Sequence, residues 1–443
     1  MRKLDGVRVV VVGMGLSGVA AVRLLRQKGA IVRAVDEKPM GELEGVTIEP
    51  QTEAAFRDAE LVVISPGVPA DLALLAFARA RGVPVIGELE LAAPYLEGRI
   101  IGITGTNGKT TTTALTGHIL RESGIACQVG GNIGAAPAGM VETSRPDQWN
   151  VLELSSFQLE TIQTFRAHIA ACLNVTQNHL DRHHSFENYA DAKARLFETQ
   201  SPEDLAVLNA DDPVTEAFAK RTRAKTVWFS STRTIAGAWL EGDTIHMDSS
   251  PLLDVRALLL RGRHNYENVM AAALIAESAG ASREQIARSA STFAPVEHRL
   301  ELVRARAGIG YYNDSKATSV DATLKAIGAF AGGLWLILGG KDKDSDYTVL
   351  REPLRAKARA ALLIGAAAPK IAKHLGDAVP IIQCGTLAAA VDRASRSAAP
   401  GDTVLLAPAC SSFDQFESFE HRGRVFKDLV NALAEDASAQ GRR

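Results

Sequence analysis

The sequence predicts an α/β protein of about three domains, each built on a mostly parallel sheet that helices cover. Two observations carry this prediction. Apolar runs of strand length alternate with helical patterns along nearly all of the 443 residues, and such alternation places helices over the faces of a parallel sheet. At roughly 150 residues per domain, a chain of this length is also expected to form about three domains.

The composition is that of an ordinary globular protein. Apolar residues are 46% and charged residues 23% of the chain, which argues against disorder and fibrous repeats. The 49 basic side chains nearly balance the 51 acidic ones, so we expect no overall attraction to nucleic acid or membranes, and any anion site must be local. The four cysteines include no Cys-x-x-Cys pair, which argues against a disulfide framework or a cysteine-built zinc site.

Two long uncharged segments have an apolar character that membrane spans and targeting signals share. The first, at 9–22, follows basic residues, but Asp5 precedes it and three glycines interrupt it. The second, at 326–340, is also broken by glycine, and both are shorter than the roughly 20 residues that span a bilayer. We therefore expect a soluble, cytoplasmic protein without membrane insertion.

The N-terminal domain is expected over residues 1–93. Apolar runs predict strands at 7–12, 31–36, 61–65 and 83–86, with helices at 19–28 and 72–81. The segment Gly-Met-Gly-Leu-Ser-Gly at 13–18 joins the first strand to the first helix, and Asp36 ends the second strand. This context predicts a Rossmann-like domain that binds a nucleotide or nucleotide sugar. An NAD(P)-dependent oxidoreductase, or a tight turn without a ligand, would fit the same motif.

The central domain, expected over 94–295, opens with a strand that runs into a second glycine loop. Thr-Gly-Thr-Asn-Gly-Lys-Thr-Thr-Thr at 104–112 departs from the strict Walker A spacing, because Ile103 stands at the first glycine position. It nevertheless ends in Gly108-Lys109-Thr110, between a strand and a predicted helix at 114–121. Backbone amides, the lysine and the hydroxyl predict a site for ATP-type phosphates and Mg²⁺. Further strands are expected at 151–154, 169–175 and 206–209, short ones near 230–255, and the last helix at 265–279.

Acidic and histidine side chains follow two strands of this domain. Glu153 ends an apolar strand, where a P-loop enzyme keeps a carboxylate on the Mg²⁺ side. Among the histidines that follow, His179 is the best candidate, since its strand should end beside the phosphate loop. The spacing fits no structural zinc site, so His183 and His184 are interpreted as solvated loop residues. Spacing alone makes Lys193 a surface lysine of a helix.

The C-terminal domain is expected over 296–443, after a hinge expected near Pro295. Strands are predicted at 311–313, 334–338, 361–364 and 403–407, and helices at 317–330, 387–397 and 419–434. Residues 437–443 resemble a frayed tail.

Six short motifs are spread along the chain, at 104–112, 153–159, 174–181, 262–268, 297–299 and 313–318. Together they resemble the motifs of the Mur ligase family, which couples ATP cleavage to amide-bond formation in peptidoglycan precursor synthesis. Phe157-Gln158 and the segments 408–416 and 419–423 are typical of members that add D-glutamate to UDP-N-acetylmuramoyl-L-alanine. The resemblance implies a Rossmann-like first domain that holds UDP, a central P-loop ATPase-like domain, and a Rossmann-like third domain.

The resemblance also implies roles for individual residues. The expected ATP-binding set is Gly105, Thr106, Asn107, Gly108, Lys109, Thr110, Thr111, Asn268, Arg299, Asp314 and Lys316. The expected UDP-substrate set is Gly15, Leu16, Ser17, Asp36, Asn132 and His179. The expected D-glutamate set is Thr318, Lys343, Ser412, Phe413 and Phe419. The expected ligands of two Mg²⁺ ions are Thr110, Glu153, His179 and Lys193, and the expected catalytic set is Lys109, Glu153, His179 and Lys193.

Lys193 matches a lysine that is carbamylated in this family, which replaces the interpretation as a surface residue. A carbamate turns the cation into an anionic oxygen ligand, which suits a site with two Mg²⁺ ions and a triphosphate. We expect a monomer. Three alternatives stay open at this point: an NAD(P)-dependent oxidoreductase, a non-enzymatic ATP-binding regulator, and another Mur-type or folate-polyglutamate ligase.

Overall fold

The computed structural model describes residues 3–37, 41–294 and 297–433. It confirms the α/β class, with three sheets that are parallel for the most part. The chain forms two compact units, one comprising residues up to Leu258 with Asn265–Phe293, the other comprising Leu259–His264 and the chain from Ala294. The predicted boundary at 93/94 falls in a 3₁₀ turn, Ala93–Tyr95, and stays a prediction. The predicted hinge at Pro295 and the predicted tail at 437–443 lie outside the described residues.

The first sheet has six strands in the order β3-β4-β2-β1-β5-β6, parallel except for the β3–β4 pair. Its strands are β1 (Arg8–Val12), β2 (Ile31–Asp36), β3 (Glu42–Leu43), β4 (Val46–Pro50), β5 (Leu61–Ile64) and β6 (Val85–Gly87). Its helices are α1 (Leu16–Gln27), α2 (Glu53–Phe56), α3 (Ala73–Ala80) and α4 (Glu88–Ala92). Alternate valines of β1 enter two different apolar clusters, Val9 and Val11 one and Val10 and Val12 the other. Because strand side chains alternate between faces, β1 is buried on both, which explains its unbroken apolar run.

The second sheet has nine strands in the order β15-β14-β13-β12-β11-β10-β7-β9-β8. They are β7 (Arg99–Thr104), β8 (Cys127–Gly131), β9 (Trp149–Glu153), β10 (Ile169–Cys172), β11 (Leu205–Asn209), β12 (Lys225–Ser230), β13 (Gly237–Glu241), β14 (Thr244–Met247) and β15 (Ser250–Asp254). The helices are α5 (Lys109–Glu122), α6 (Ser156–Leu159), α7 (Leu180–His183), α8 (Phe186–Glu198), α9 (Pro213–Phe218), α10 (Arg263–Ser278) and α11 (Arg283–Thr292). Strand β7 lies between β10 and β9 in parallel register, so the glycine loop and Glu153 leave the same edge of the sheet.

The third sheet has six strands in the order β16-β17-β21-β18-β19-β20, with only β16–β17 antiparallel. The strands are β16 (Glu301–Arg306), β17 (Ile309–Asn313), β18 (Leu334–Gly339), β19 (Ala358–Ile364), β20 (Ile381–Gly385) and β21 (Thr403–Leu406). The helices are α12 (Val320–Gly328), α13 (Arg351–Lys357), α14 (Ala368–Leu375), α15 (Leu387–Ser397) and α16 (Phe419–Asn431). Strands β16 and β20 have no counterpart in the sequence prediction, because polar side chains interrupt their apolar pattern.

Among the described residues, no helix combines the length and the apolar character that a membrane span requires.

Candidate active site

The glycine loop at 105–108 leaves β7 and enters α5 at Lys109. Gly108 has a φ of 85°, and a β-carbon at this position would stand 2.2 Å from the side-chain oxygen of Asn268. Glycine is therefore required twice, by the left-handed backbone and by the close approach of Asn268. The amides at the N-terminus of α5 are the donors that can face a phosphate, because the first turn of a helix offers them no carbonyl partner.

Asn174, which follows β10, holds the glycine loop from the side. Its side-chain oxygen accepts a hydrogen bond from the amide of Asn107 over 2.9 Å, and its side-chain nitrogen donates to the carbonyl of Asn107 over 3.2 Å. Its backbone carbonyl accepts from the amide of Thr106 over 2.8 Å. The segment at 174–181 resembles a family motif, but no local pattern assigns Asn174 itself a place in the site.

Two lysines converge on one carbonyl oxygen of the loop. The amine of Lys109 donates to the carbonyls of Gly105 and Thr106, each over 2.9 Å. The amine of Lys193, from α8, donates to the same carbonyl of Gly105, also over 2.9 Å. The helix of Lys193 thus reaches the phosphate loop, as the resemblance implied and as spacing alone did not.

Lys193 is 1% exposed, so its interpretation as a surface lysine is wrong. Burial and the positive charge of Lys109 hold the pKa of Lys193 well below its ordinary value, against the weaker opposing effect of Glu153. The amine also lies 4.6 Å from the ring centre of Tyr189, one turn earlier on α8. The hydroxyl of Tyr189 is 3.0 Å from that of Thr106, so the same helix contacts the glycine loop a second time.

Glu153 ends β9 and is 2% exposed. One carboxylate oxygen accepts a hydrogen bond from the side chain of Asn132 over 2.9 Å, and its backbone carbonyl accepts from the amide of Asn132 over 2.8 Å. The structure thus joins a residue expected to bind metal to a residue expected to bind the UDP substrate.

The histidines after β10 differ sharply from one another. His179 is exposed, has a φ of 53° and is the N-cap of α7. Its ring lies 4.9 Å from that of Phe157 in an edge-on arrangement. His184 is exposed, as predicted. His183 is 5% exposed, so its interpretation as a solvated loop residue is wrong: Ser156 and Glu160 of the α6 segment surround it. No local pattern could have revealed this burial, since it depends on residues more than twenty positions away.

A pocket of about 540 Å³ opens beside the first glycine loop. A β-carbon at Gly18 would stand 1.8 Å from the carbonyl oxygen of Gly13, so only glycine fits between loop and helix. Asp36 accepts a hydrogen bond from the amide of Met14 over 2.7 Å, which holds its carboxylate at the loop. The lining includes, from the predicted UDP set, Gly15, Leu16, Ser17, Asp36 and Asn132. His179 is not part of that lining, whereas Gln158, which sequence analysis did not assign to the substrate, is.

The second compact unit holds three of the residues expected to bind ATP. Asp314 is buried and accepts a hydrogen bond from the amide of Leu300 over 3.3 Å. Burial raises the pKa of Asp314 to about 6, against the opposing charges of Arg299 and Lys316. The amine of Lys316 lies 5.5 Å from the ring centre of Phe419, a residue expected at D-glutamate.

The remaining residues expected at D-glutamate lie on loops of the same unit. The amine of Lys343 donates to the carbonyl of Thr318 over 3.4 Å, which brings these two together. Ser412 is 2% exposed, whereas Phe413 is 67% exposed. Sequence analysis assigned no role to Arg422, yet this fully buried side chain donates to the carbonyls of Ser315 and Cys410 and so joins the loops that carry these residues.

The donor groups beside the second glycine loop suit a divalent cation of the Mg²⁺ type. Glu153 supplies carboxylate oxygens and Thr110 a hydroxyl at the first turn of α5, and both are nearly buried. The ring of His179 lies 6.4 Å from that of Tyr189, the residue whose hydroxyl contacts Thr106 of the loop. The ammonium form of Lys193 would oppose a cation, and a carbamate at the same amine would attract one.

The family comparisons match three segments of the chain. Residues 103–276 match the Mur ligase middle domain, residues 298–410 the Mur ligase glutamate ligase domain, and residues 7–87 the MurD-like N-terminal domain of Mur ligases. The chain belongs to the Mur ligase family.

Curated relatives narrow this similarity to one branch. The UDP-N-acetylmuramoylalanine--D-glutamate ligase of Solibacter usitatus is 61% identical over 437 residues, which cover 97% of this chain and 99% of that protein. The enzymes of the same name from Koribacter versatilis and Acidobacterium capsulatum are 48% and 49% identical, and each alignment covers 97% of this chain.

Solved structures agree with the fold. The MurF ligase from Thermotoga maritima in complex with ADP superposes with a TM-score of 0.64 at 15% identity, over 98% of this chain and 97% of that one. The UDP-N-acetylmuramate-alanine ligase MurC of the same organism gives 0.62 at 18% identity, over 96% of this chain and 99% of that one. At such identities the likeness concerns the fold alone.

Proposed function

We propose that this protein is an ATP-dependent ligase that joins D-glutamate to UDP-N-acetylmuramoyl-L-alanine during peptidoglycan precursor synthesis. The convergence of Lys109 and Lys193 on the carbonyl of Gly105 carries the proposal, because it places two amines at a phosphate loop. High identity to D-glutamate ligases over nearly the full chain supports the choice of substrates. The protein acts as a monomer in the cytoplasm.

In the first step, the L-alanine carboxylate of the UDP-sugar attacks the γ-phosphorus of ATP, the bond to the β-phosphate oxygen breaks, and ADP leaves. The product is an acyl phosphate. When ATP binds, the amine of Lys109 leaves the carbonyls of Gly105 and Thr106 and donates to phosphate oxygens instead. Its positive charge then offsets the repulsion between the carboxylate and the triphosphate. Asn268, Arg299, Asp314 and Lys316 bind the rest of the nucleotide.

In the second step, the neutral amine of D-glutamate attacks the acyl carbon, and phosphate departs from the tetrahedral intermediate. Thr318, Lys343 and Ser412 hold the carboxylates of D-glutamate, and Phe413 and Phe419 lie beside it. The acyl phosphate would react with water, so the site must exclude solvent before this step.

Thr110, Glu153, His179 and carbamylated Lys193 would hold Mg²⁺, which would stabilise the charge on the transferred phosphoryl group when bound. Two such ions are expected. The low pKa of Lys193 leaves its amine neutral more often than that of an ordinary lysine, and a neutral amine is the form that reacts with CO₂. The five residues of the predicted UDP set that line the 540 Å³ pocket hold the UDP-sugar.

The test is phosphate release from ATP with UDP-N-acetylmuramoyl-L-alanine and Mg²⁺, adding D-glutamate, L-glutamate, L-lysine or diaminopimelate in turn. Release that depends on D-glutamate alone is the expected result. Release with another acceptor would assign the protein to a different Mur-type reaction. Release with none, together with a change in nicotinamide fluorescence on titration, would favour the oxidoreductase alternative.

A further inference from the structure

A chain of three polar side chains, two of them buried and the third, Glu160, partly buried, connects the segments that carry Glu153 and His179. Ring nitrogen Nε2 of His183 lies 3.0 Å from the hydroxyl of Ser156, and Nδ1 lies 3.2 Å from a carboxylate oxygen of Glu160. Ser156 and His183 are 3% and 5% exposed. The residues Ser156, His183 and Glu160 are called here the buried relay.

The relay joins two parts of the chain that lie more than twenty positions apart in the sequence. Ser156 begins α6 and Glu160 directly follows it, three and seven residues after Glu153. His183 ends α7, the single helical turn whose N-cap is His179. A helix of four residues has little stability of its own, so its position depends on such tertiary contacts.

The neighbouring side chains reinforce the same connection. The second carboxylate oxygen of Glu160 accepts from the guanidinium of Arg182 over 2.9 Å, so adjacent residues of α7 bind one carboxylate. The ring of Phe157 stacks on that of His183 with centres 5.6 Å apart and meets that of His179 edge-on at 4.9 Å. Because the ring of Phe157 contacts both histidines, a displacement of His183 would also shift the contact between Phe157 and His179.

The arrangement resembles a nucleophilic triad in its order of atoms, but burial argues against that use. Ser156 is 3% exposed and is not among the residues that line the 540 Å³ pocket. A nucleophile must reach its substrate. An ionised carboxylate accepts hydrogen bonds and never donates them, so Nδ1 is the donor toward Glu160.

We propose that the buried relay positions His179 against Glu153 and so shapes the metal-side half of the phosphate site. The inference rests on the proposed function. In this role His183 is a positioning residue: it fixes the orientation of groups that contact the ligand, as outer partners of metal ligands do. It acts without contacting ATP or the UDP-sugar.

The first experiment compares His183→Ala with His184→Ala, a matched control at the adjacent exposed histidine. We expect His183→Ala to lower kcat and to raise the Mg²⁺ concentration for half-maximal activity by roughly tenfold or more, the usual effect of losing an outer partner. The KM for D-glutamate should stay within about twofold, as should all parameters of His184→Ala, since exposed substitutions perturb little. His183→Gln should restore part of the loss, because its amide can still bond to Ser156.

A second readout needs neither Mg²⁺ nor nucleotide. The unfolding free energies of Ser156→Ala, His183→Ala and the double variant form a cycle, and contact between the two side chains predicts clear non-additivity. If His183→Ala does not fold, Glu160→Gln, which keeps the size of the side chain, carries the kinetic comparison.

Three outcomes would overturn the inference: equal kinetics for His183→Ala and His184→Ala, an additive cycle, or a loss confined to KM for D-glutamate. Failure of the proposed function is distinguishable, because it would appear in the unaltered protein as absent D-glutamate-dependent phosphate release.

Discussion

The amines of Lys109 and Lys193 donate to the same carbonyl oxygen, that of Gly105, each over 2.9 Å. One lysine belongs to the first turn of α5 and the other to the middle of α8. Two ammonium groups at one oxygen repel each other, and this repulsion adds to burial in lowering the pKa of Lys193. The glycine loop thus holds one lysine suited to bind phosphate and one suited to chemical modification.

The first prediction concerns Lys193. We expect Lys193→Ala to lower kcat roughly 100-fold, because the variant lacks a group that would bind the metal. Lys193→Glu should recover part of the activity, since it returns an anionic oxygen to the site. Steady-state phosphate release checks both variants, and intact-protein mass spectrometry in bicarbonate buffer tests for one added CO₂.

Lys220→Ala, which removes an exposed lysine of the same unit, is the matched control and should retain full activity. Full activity in Lys193→Ala would show that neither the amine nor its carbamate takes part.

Some features of the fold and of the site follow from the local pattern of apolar and glycine residues. The strand–helix alternation was predictable from the apolar runs themselves. The two glycine loops and Glu153 were predictable because each lies at the carboxyl end of an apolar strand. The burial of Lys193 was also detectable: it stands on the same helical stripe as Tyr189, Ala192, Leu196 and Phe197, all buried in α8. The general tendency of lysine to be exposed nevertheless favours a surface position over this pattern.

Other features depend on tertiary contacts and have no local signal. Asn174 clamps Asn107 across 67 positions, and Tyr189 reaches Thr106 across 83. His183 meets Ser156 across 27 positions. Periodicity describes which face of an element is apolar, and it cannot identify the polar partner that a buried side chain will find.

The second prediction concerns the clamp on the phosphate loop. Asn174→Ala should raise the KM for ATP and destabilise the protein by about 1–3 kcal/mol, because the amide and carbonyl of Asn107 lose their partners. Asn174→Asp keeps an acceptor for the Asn107 amide and should show a smaller loss of stability. Nucleotide titration and chemical denaturation measure the two effects, and an unchanged KM with unchanged stability would contradict the prediction.

The third prediction concerns Glu88, which begins α4 and is 1% exposed. One of its oxygens accepts from the amide of Ala138 over 2.5 Å, and the other has no hydrogen-bond partner among the described residues. Burial raises the pKa of Glu88 to about 8, from 4.5. Between these values the folded state binds the proton and the unfolded state releases it, so this group makes stability fall as pH rises.

Glu88→Gln cannot titrate, so its stability relative to the unaltered protein should rise between pH 5 and pH 8, by on the order of 3 kcal/mol. Denaturation at both pH values measures the difference. Glu122→Gln, at an exposed position of α5, should give a profile parallel to that of the unaltered protein. A parallel profile for Glu88→Gln as well would mean that Glu88 is ionised in the folded state at neutral pH.

The last prediction concerns Leu16, a large apolar side chain that is 83% exposed at the mouth of the 540 Å³ pocket. A residue so exposed contributes little to the core, so Leu16→Ala should leave the free energy of unfolding nearly unchanged. The UDP-sugar should cover this side chain on binding, and its truncation should raise the KM for that substrate on the order of tenfold. Ile31→Ala, which removes another exposed apolar side chain outside the pocket lining, is the control and should alter neither quantity. Equal KM values for the two variants would show that the UDP-sugar binds without contact to Leu16, whereas a rise confined to Leu16→Ala would place the sugar nucleotide over the first glycine loop.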